Sequence, residues 1–183
     1  MIIAIDGNHF VGKTTIVDQL KEYYNQRDDI AFYKFPSHTP IGDFARQAVG
    51  KEADDVLSLL FCADYYNVYN DFIKANENKV LIFDRYVLTL FTLQGYMKNK
   101  DYDFLKNLCK RLPKPDIQIV INKKEQDDVI NNEPDPFVLV LDDLNYFGDG
   151  TVYVVENILN KECKNESGYN QVKAIIDNAI ASL

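Results

Sequence analysis

The chain has no tryptophan, two methionines, two histidines and three cysteines in 183 residues. Cys62, Cys109 and Cys163 are odd in number, far apart and form no CxxC pair, so neither a disulfide framework nor a zinc site is expected. Arginine is scarce too. Of 20 basic residues only Arg27, Arg46, Arg85 and Arg111 are arginines, and none follows position 111. The 28 acidic residues leave a net charge of -8, which excludes a protein that coats a nucleic-acid polymer by neutralising phosphates. Long apolar runs are missing, so no membrane segment is expected. The start, Met1-Ile2-Ile3-Ala4-Ile5, turns polar without a basic n-region or an Arg-rich transit character, and a cytoplasmic location is expected. Asn165-Glu166-Ser167 matches a glycosylation acceptor, but without a secretion signal it reads as a polar loop.

What is present suits one globular domain spanning 1–183: 46% hydrophobic and 26% charged residues are ordinary values for a chain of this length. Ile2 to Ile5, Val80 to Phe83 and Ile117 to Ile121 read as strands buried on both faces, with Ile30 to Phe35 and Thr151 to Val155 as weaker candidates. Helical spacing is found over Lys13 to Asn25, Ile41 to Val49, Asp54 to Ala75, Val87 to Lys98, Tyr102 to Arg111 and Gln171 to Ala181. Strands alternating with helices predict a three-layer α/β fold that binds ligands at the carboxyl ends of its strands. Residues 123–150, rich in acidic groups and holding Pro134 and Pro136, read as an irregular insertion. Within it, Phe137 to Leu141 fits an added strand, a helix turn or a packed loop equally well.

The sharpest signal is Gly7-Asn8-His9-Phe10-Val11-Gly12-Lys13-Thr14, a GxxxxGK[ST] pattern lying between the first strand and the first helix. Phosphate oxygens need converging amide donors, which a glycine-bearing loop and a helix N-terminus present together. Lys13 supplies a cation to the β and γ phosphates, the Thr14 hydroxyl can ligate Mg2+, and Thr15 follows in the same turn. Asp84 closes a strand, where a carboxylate reaches the magnesium shell directly or through water; the alternative is an ordinary strand-end turn. His9 either hydrogen-bonds the backbone or acts on the triphosphate or an acceptor sugar.

Four blocks in this order resemble the thymidylate kinase family over nearly the whole chain. They are the phosphate loop, Phe35-Pro36-Ser37-His38-Thr39-Pro40-Ile41-Gly42, Leu59-Leu60-Phe61-Cys62-Ala63-Asp64, and Asp84-Arg85-Tyr86 followed by Gln94-Gly95. The resemblance implies a five-stranded parallel sheet with helices on both faces, and transfer of the γ-phosphoryl of ATP to a deoxynucleoside monophosphate. By position it implies ATP contacts from Gly7, Asn8, Val11, Gly12, Lys13, Thr14 and Thr15, and Mg2+ at Thr14 and Asp84. Arg85 would hold the acceptor phosphate, Phe61 would stack on the base, Phe35 would line the pocket, and Gln94 would offer an amide to the base edge. Lys13, Asp84, Arg85 and His9 are the expected catalytic set. A homodimer built on the helices around Asp64 to Phe72 and Val87 to Tyr96 is also expected, and residues 123–150 would form a reduced or altered lid.

Departures from the family pattern are specific. An acidic residue and an arginine of the family's loop stand as His9 and Phe10, and Tyr65 stands where an arginine reads the base. A phenol donates one hydrogen bond and cannot form a bidentate cationic pair. His38, or nothing, replaces an acceptor-phosphate arginine, and the lid segment has no arginine. Lys123, Lys124, His9 or a partner subunit would then supply the missing charge. Besides dTMP or a related pyrimidine monophosphate as acceptor, two readings stay open: a deoxynucleoside kinase, and a nucleotide-binding regulatory protein without turnover.

Overall fold

Apolar, β-branched runs become strands because successive residues can be buried on opposite faces of one sheet. The strands β1 (Ile2–Gly7), β2 (Ile30–Lys34), β3 (Val80–Asp84), β4 (Ile117–Lys124) and β5 (Thr151–Ile158) pair in parallel in the order β2-β3-β1-β4-β5. This computed structural model describes residues 1–98, 101–124, 135–143, 150–158 and 166–183. The helices are α1 (Lys13–Tyr23), α2 (Pro40–Ala48), α3 (Asp54–Val68), α4 (Val87–Leu90), α5 (Tyr102–Cys109), α6 (Pro136–Asp143) and α7 (Glu166–Ala181). One sheet face, through Ile3, Ile5, Ile82 and Ile119, packs on α1 and α7 by way of Ile16, Leu20, Val172 and Ile176. The other, through Ala4, Leu81, Phe83 and Val120, packs on Val68, Leu88, Phe91 and Leu105. The expected three-layer α/β architecture with a parallel five-stranded sheet is therefore present.

Several elements differ in extent from the sequence reading. Strands β4 and β5 run past Ile121 and Val155, pairing Asn122 with Glu156 and Lys123 with Asn157. The helix expected over Asp54 to Ala75 is regular only to Val68, then widens over Tyr69–Ile73 and tightens over Lys74–Asn76. Side-chain amides accompany that change, since Asn70 Nδ2 donates to the Tyr66 carbonyl and Asn76 Nδ2 to that of Phe72. In the Val87 to Lys98 stretch, α4 stops after one turn and a wider turn spans Phe91–Tyr96. Gly95 sits in that turn, where a Cβ would lie 2.5 Å from the Tyr102 ring, so a side chain there would push α5 away.

Phe137 to Leu141 forms a helix, within α6, and seats Phe137 and Val140 in the core. Most of the acidic residues expected to mark the insertion, Asp127, Asp128, Glu133 and Asp149, lie outside the described residues, as do Cys163 and Asn165. Cys62 of α3 and Cys109 of α5, distant in sequence, bring their sulfurs to 3.6 Å, which the absence of a CxxC pair did not foretell. No described helix is long and apolar enough to cross a membrane.

Candidate functional site

Three strand ends are stitched into one ledge. The Arg85 amide donates to the Ile5 carbonyl at 2.9 Å and the Phe35 amide donates to the Asp84 carbonyl at 3.0 Å. From this ledge β1 leads into the phosphate loop. Gly7 is required there because a Cβ would lie 2.5 Å from the Ile121 carbonyl oxygen of β4, in a backbone conformation at φ +151°. Gly12, at φ +83°, turns the chain into α1 and aims the helix N-terminus at the loop. Asn157 of β5 braces the far side, its Nδ2 donating to the Val11 carbonyl at 2.7 Å. Residues 8–15 and Arg85 enclose a compartment of about 310 Å³.

Lys13 is buried, with its Nζ 3.8 Å from Asp84 Oδ1, while Lys34 Nζ stands 3.1 Å from Asp84 Oδ2. Burial, then the neighbouring Arg85 guanidinium, pull the Lys13 ammonium down to about 8, against the attraction of Asp84 and Asp6. Asp84 Oδ1 is buried and accepts no hydrogen bond. A buried carboxylate oxygen that accepts no hydrogen bond and lies beside Lys13, at the start of α1, suits a hard cation that takes its other ligands from phosphates and water. These residues fit a magnesium-bound triphosphate.

A second cavity, of about 400 Å³, lies beside the loop. Phe35, Phe61, Leu90 and Leu93 give it apolar walls, and Arg46, Arg85, His9 and Gln94 bring polar groups to it. Gln94 Oε1 is buried without a partner, set there by the widened turn Phe91–Tyr96. Arg85 adopts φ +68°, a strained conformation for a side-chain-bearing residue. Its Nη1 donates to the Gly7 carbonyl at 3.2 Å and to Thr89 Oγ1 at 3.4 Å. His9 and Arg85 line both compartments.

Two residues of this cavity, Arg46 and Asp64, were not singled out as functional in the sequence. Asp64 is buried and ties the loop after β2 to α3: it accepts from the Ser37 amide at 2.7 Å, from the Ser37 hydroxyl, and from Thr39 Oγ1 at 3.3 Å. Thr39 in turn caps α2 by accepting from the Gly42 amide. The helix so placed carries Arg46 into the cavity, where its guanidinium donates to the Pro36 carbonyl and to Asp43. Position one turn beyond Gly42 on a capped helix was the available signal.

His38 lies elsewhere than expected, and Tyr65 and His9 line the cavity in states other than those expected. His38 does not line this cavity; it lies in a separate depression with Lys21, Phe32 and Lys34, and Arg46 is the cation present instead. The Tyr65 hydroxyl donates to the Tyr86 carbonyl at 3.0 Å, so its single donor is spent within the protein although the residue lines the cavity. His9 is held below the ordinary imidazole range by partial burial and then by Arg85 and Lys13, which disfavours the protonated form expected to replace a missing arginine. Phe10 projects from the loop, 92% exposed at φ +62°. Lys123 lines a further cavity of about 690 Å³ together with Asn8, His9 and Leu139 of α6. The Lys124 side chain lies outside the described ones.

Comparison with known proteins agrees with this geometry. The sequence profile of the thymidylate kinase family matches residues 5–129. A probable thymidylate kinase of Methanosphaera stadtmanae is 28% identical over 136 residues, covering 69% of each chain. A thymidylate kinase of Campylobacter jejuni subsp. doylei is 30% identical over 112 residues, which span 59% of this chain and 55% of that one. Among solved structures, the thymidylate kinase of Ehrlichia chaffeensis superposes with a TM-score of 0.74 over 97% of this chain and 98% of its own, at 19% identity. That of Candida albicans gives 0.68 at 20% identity, over 97% of this chain and 91% of its own. At such identities the superpositions speak for the fold, and the profile match, extending over more than half the chain, speaks for descent. The chain belongs to the thymidylate kinase family of nucleotide kinases.

Proposed function

We propose that this protein transfers the γ-phosphoryl group of ATP to the phosphate of a pyrimidine deoxynucleoside monophosphate, dTMP or a relative altered at the base. The observation that carries this reading is the meeting of two compartments, a phosphate loop and an apolar cavity, at Arg85 and His9. Phosphoryl transfer is chiefly positioning and cationic stabilisation, so a residue touching both compartments is where the acceptor phosphate belongs. The loop amides, Lys13 and Thr14 would hold the triphosphate, with Asp84 and Thr14 the residues for Mg2+. The magnesium ion would neutralise charge on the phosphates. Phe61 and Phe35 would flank the base, and Arg46 would join Arg85 at the acceptor. Residues 123–150 would act as a lid, with Lys123 its contribution of charge.

Gln94 is the polar group left to read the base edge once Tyr65 is engaged with Tyr86. A carboxamide can present its oxygen or its amine, so a uracil-type and a cytosine-type edge are both served. The expected outcome of assaying a panel of deoxynucleoside monophosphates with Mg2+ and ATP is turnover of dTMP, with dCMP discriminated by less than about a hundredfold. Purine acceptors are expected to be inert. Inertness of every acceptor, with tight ATP binding by calorimetry, would instead select a nucleotide-binding protein without turnover.

A homodimer is also proposed, on a face other than the one the sequence suggested. Tyr65, Val68, Val87, Leu88 and Phe91 of the expected face are buried in the core. Phe44 and Val49 at α2, with Val56 and Leu59 of α3, are exposed on adjoining helices. Such a surface is suited to a self-complementary contact. Light scattering is expected to give twice the 21.1 kDa chain mass, and a Phe44→Glu, Leu59→Glu double variant is expected to elute as a monomer.

A further inference from the structure

Asp6 is a buried carboxylate that the phosphoryl-transfer scheme leaves without a task. It lies at the end of β1, next to the phosphate loop, and is fully inaccessible to solvent. Among the described residues no ion pair to it is formed within 4 Å. Its partners are neutral donors: Oδ1 accepts from the Tyr86 amide at 3.1 Å and from the Thr89 hydroxyl, and Oδ2 accepts from Gln118 Nε2 at 3.0 Å. Burying a carboxylate in this way is costly unless every oxygen is supplied with donors, and here three are supplied from β3's exit, α4 and β4.

Thr89 is the link outward. It gives its proton to Asp6, which leaves its oxygen lone pairs free to accept from Arg85 Nη1 at 3.4 Å. A hydroxyl that donates to a carboxylate becomes a better acceptor, so the two bonds reinforce each other. The chain Asp6–Thr89–Arg85 therefore reaches the guanidinium that both compartments share. Arg85 needs such support, because its backbone sits at φ +68° and, among the described residues, the Gly7 carbonyl is the other acceptor its Nη1 reaches.

We propose that Asp6 and Thr89 are positioning residues that set the Arg85 guanidinium for the acceptor phosphate. This rests on the transfer reaction proposed above.

The test uses Thr89→Val, Thr89→Ser and Asp6→Asn in the full chain. Valine keeps the volume of threonine and deletes the hydroxyl. Thr89→Val is expected to weaken acceptor binding by calorimetry and to lower kcat, each about tenfold, the worth of one hydrogen bond to a charged group. ATP affinity should stay within twofold, and Thr89→Ser should restore both losses. Asp6→Asn is expected to weaken acceptor binding as Thr89→Val does, and the double variant to bind acceptor no more weakly than Asp6→Asn alone. A Thr89→Val protein that melts earlier but binds acceptor as the wild type does would overturn the proposal. So would failure of serine to rescue, or acceptor binding in Asp6→Asn equal to that of the wild type. Because acceptor binding is read by calorimetry, a wild type that binds acceptor but never turns over would sink the transfer reaction and leave the positioning role testable.

Discussion

Lys13→Ala is expected to reduce transfer from ATP by on the order of a thousandfold or more, read as kcat with saturating acceptor. The ammonium is the cation the loop itself brings to its compartment, and alanine would leave Arg85 and the loop amides to face the phosphates without it. Stability should respond in the opposite direction. Burial lowers Lys13 from 10.5 to about 8 in the folded chain, so between those values the unfolded chain binds the proton more tightly. Holding the charge at neutral pH therefore costs folding free energy, a cost that disappears as pH rises from about 8 towards 10.5. The ligand-free variant is expected to melt no lower than the wild type at pH 7 while losing activity, which separates a catalytic defect from a folding one. In the wild type, ATP affinity measured by calorimetry is expected to decline as pH rises through about 8, as the cation is titrated away.

Arg85→Ala is expected to lower kcat by roughly a thousandfold and to raise the acceptor KM, with ATP binding retained. Arg85→Lys should recover only part of the loss. A guanidinium can face an acceptor phosphate with several fixed donors while keeping its bonds to the Gly7 carbonyl and Thr89, and an ammonium cannot match that fork. Equal losses in ATP and acceptor binding would refute the assignment of Arg85 to the acceptor side. The left-handed backbone at this position costs about 1 kcal/mol for an ordinary side chain, and the strain is kept where two compartments meet.

The fold was legible because its signals are local. Runs such as Ile2 to Ile5 and Val80 to Phe83 have one reading, and GxxxxGK[ST] between a strand and a helix fixes the direction of both. Widened turns were not legible, because a regular spacing of apolar residues from Val87 to Lys98 does not reveal that Thr92 and Gly95 alter the pitch. The site was legible where a motif names its residues, as for the loop and Asp84-Arg85-Tyr86. It failed for Arg46 and His38 because a position in a motif block does not say where the side chain ends up: the capped helix carries Arg46 into the cavity, and His38 falls in a separate depression. For Tyr65, the replacement of an arginine was visible, but the destination of its hydroxyl, the Tyr86 carbonyl, depends on how α3 crosses β3. No sequence motif marks Asp6, because its partners Thr89 and Gln118 are brought to it only by the fold.

The ledge formed by the ends of β1, β2 and β3 has a further consequence. Main-chain hydrogen bonds from Arg85 to Ile5 and from Phe35 to Asp84 tie together the strand ends that carry the walls of the two compartments. The spacing of adjacent strands thus sets the gap between one compartment and the other. For two ligands joined by a tether, effective concentration depends sharply on tether length when the sites are rigidly spaced. The strand ends therefore act as a ruler, and a series of joined compounds differing only in the number of linking phosphates would read out its length.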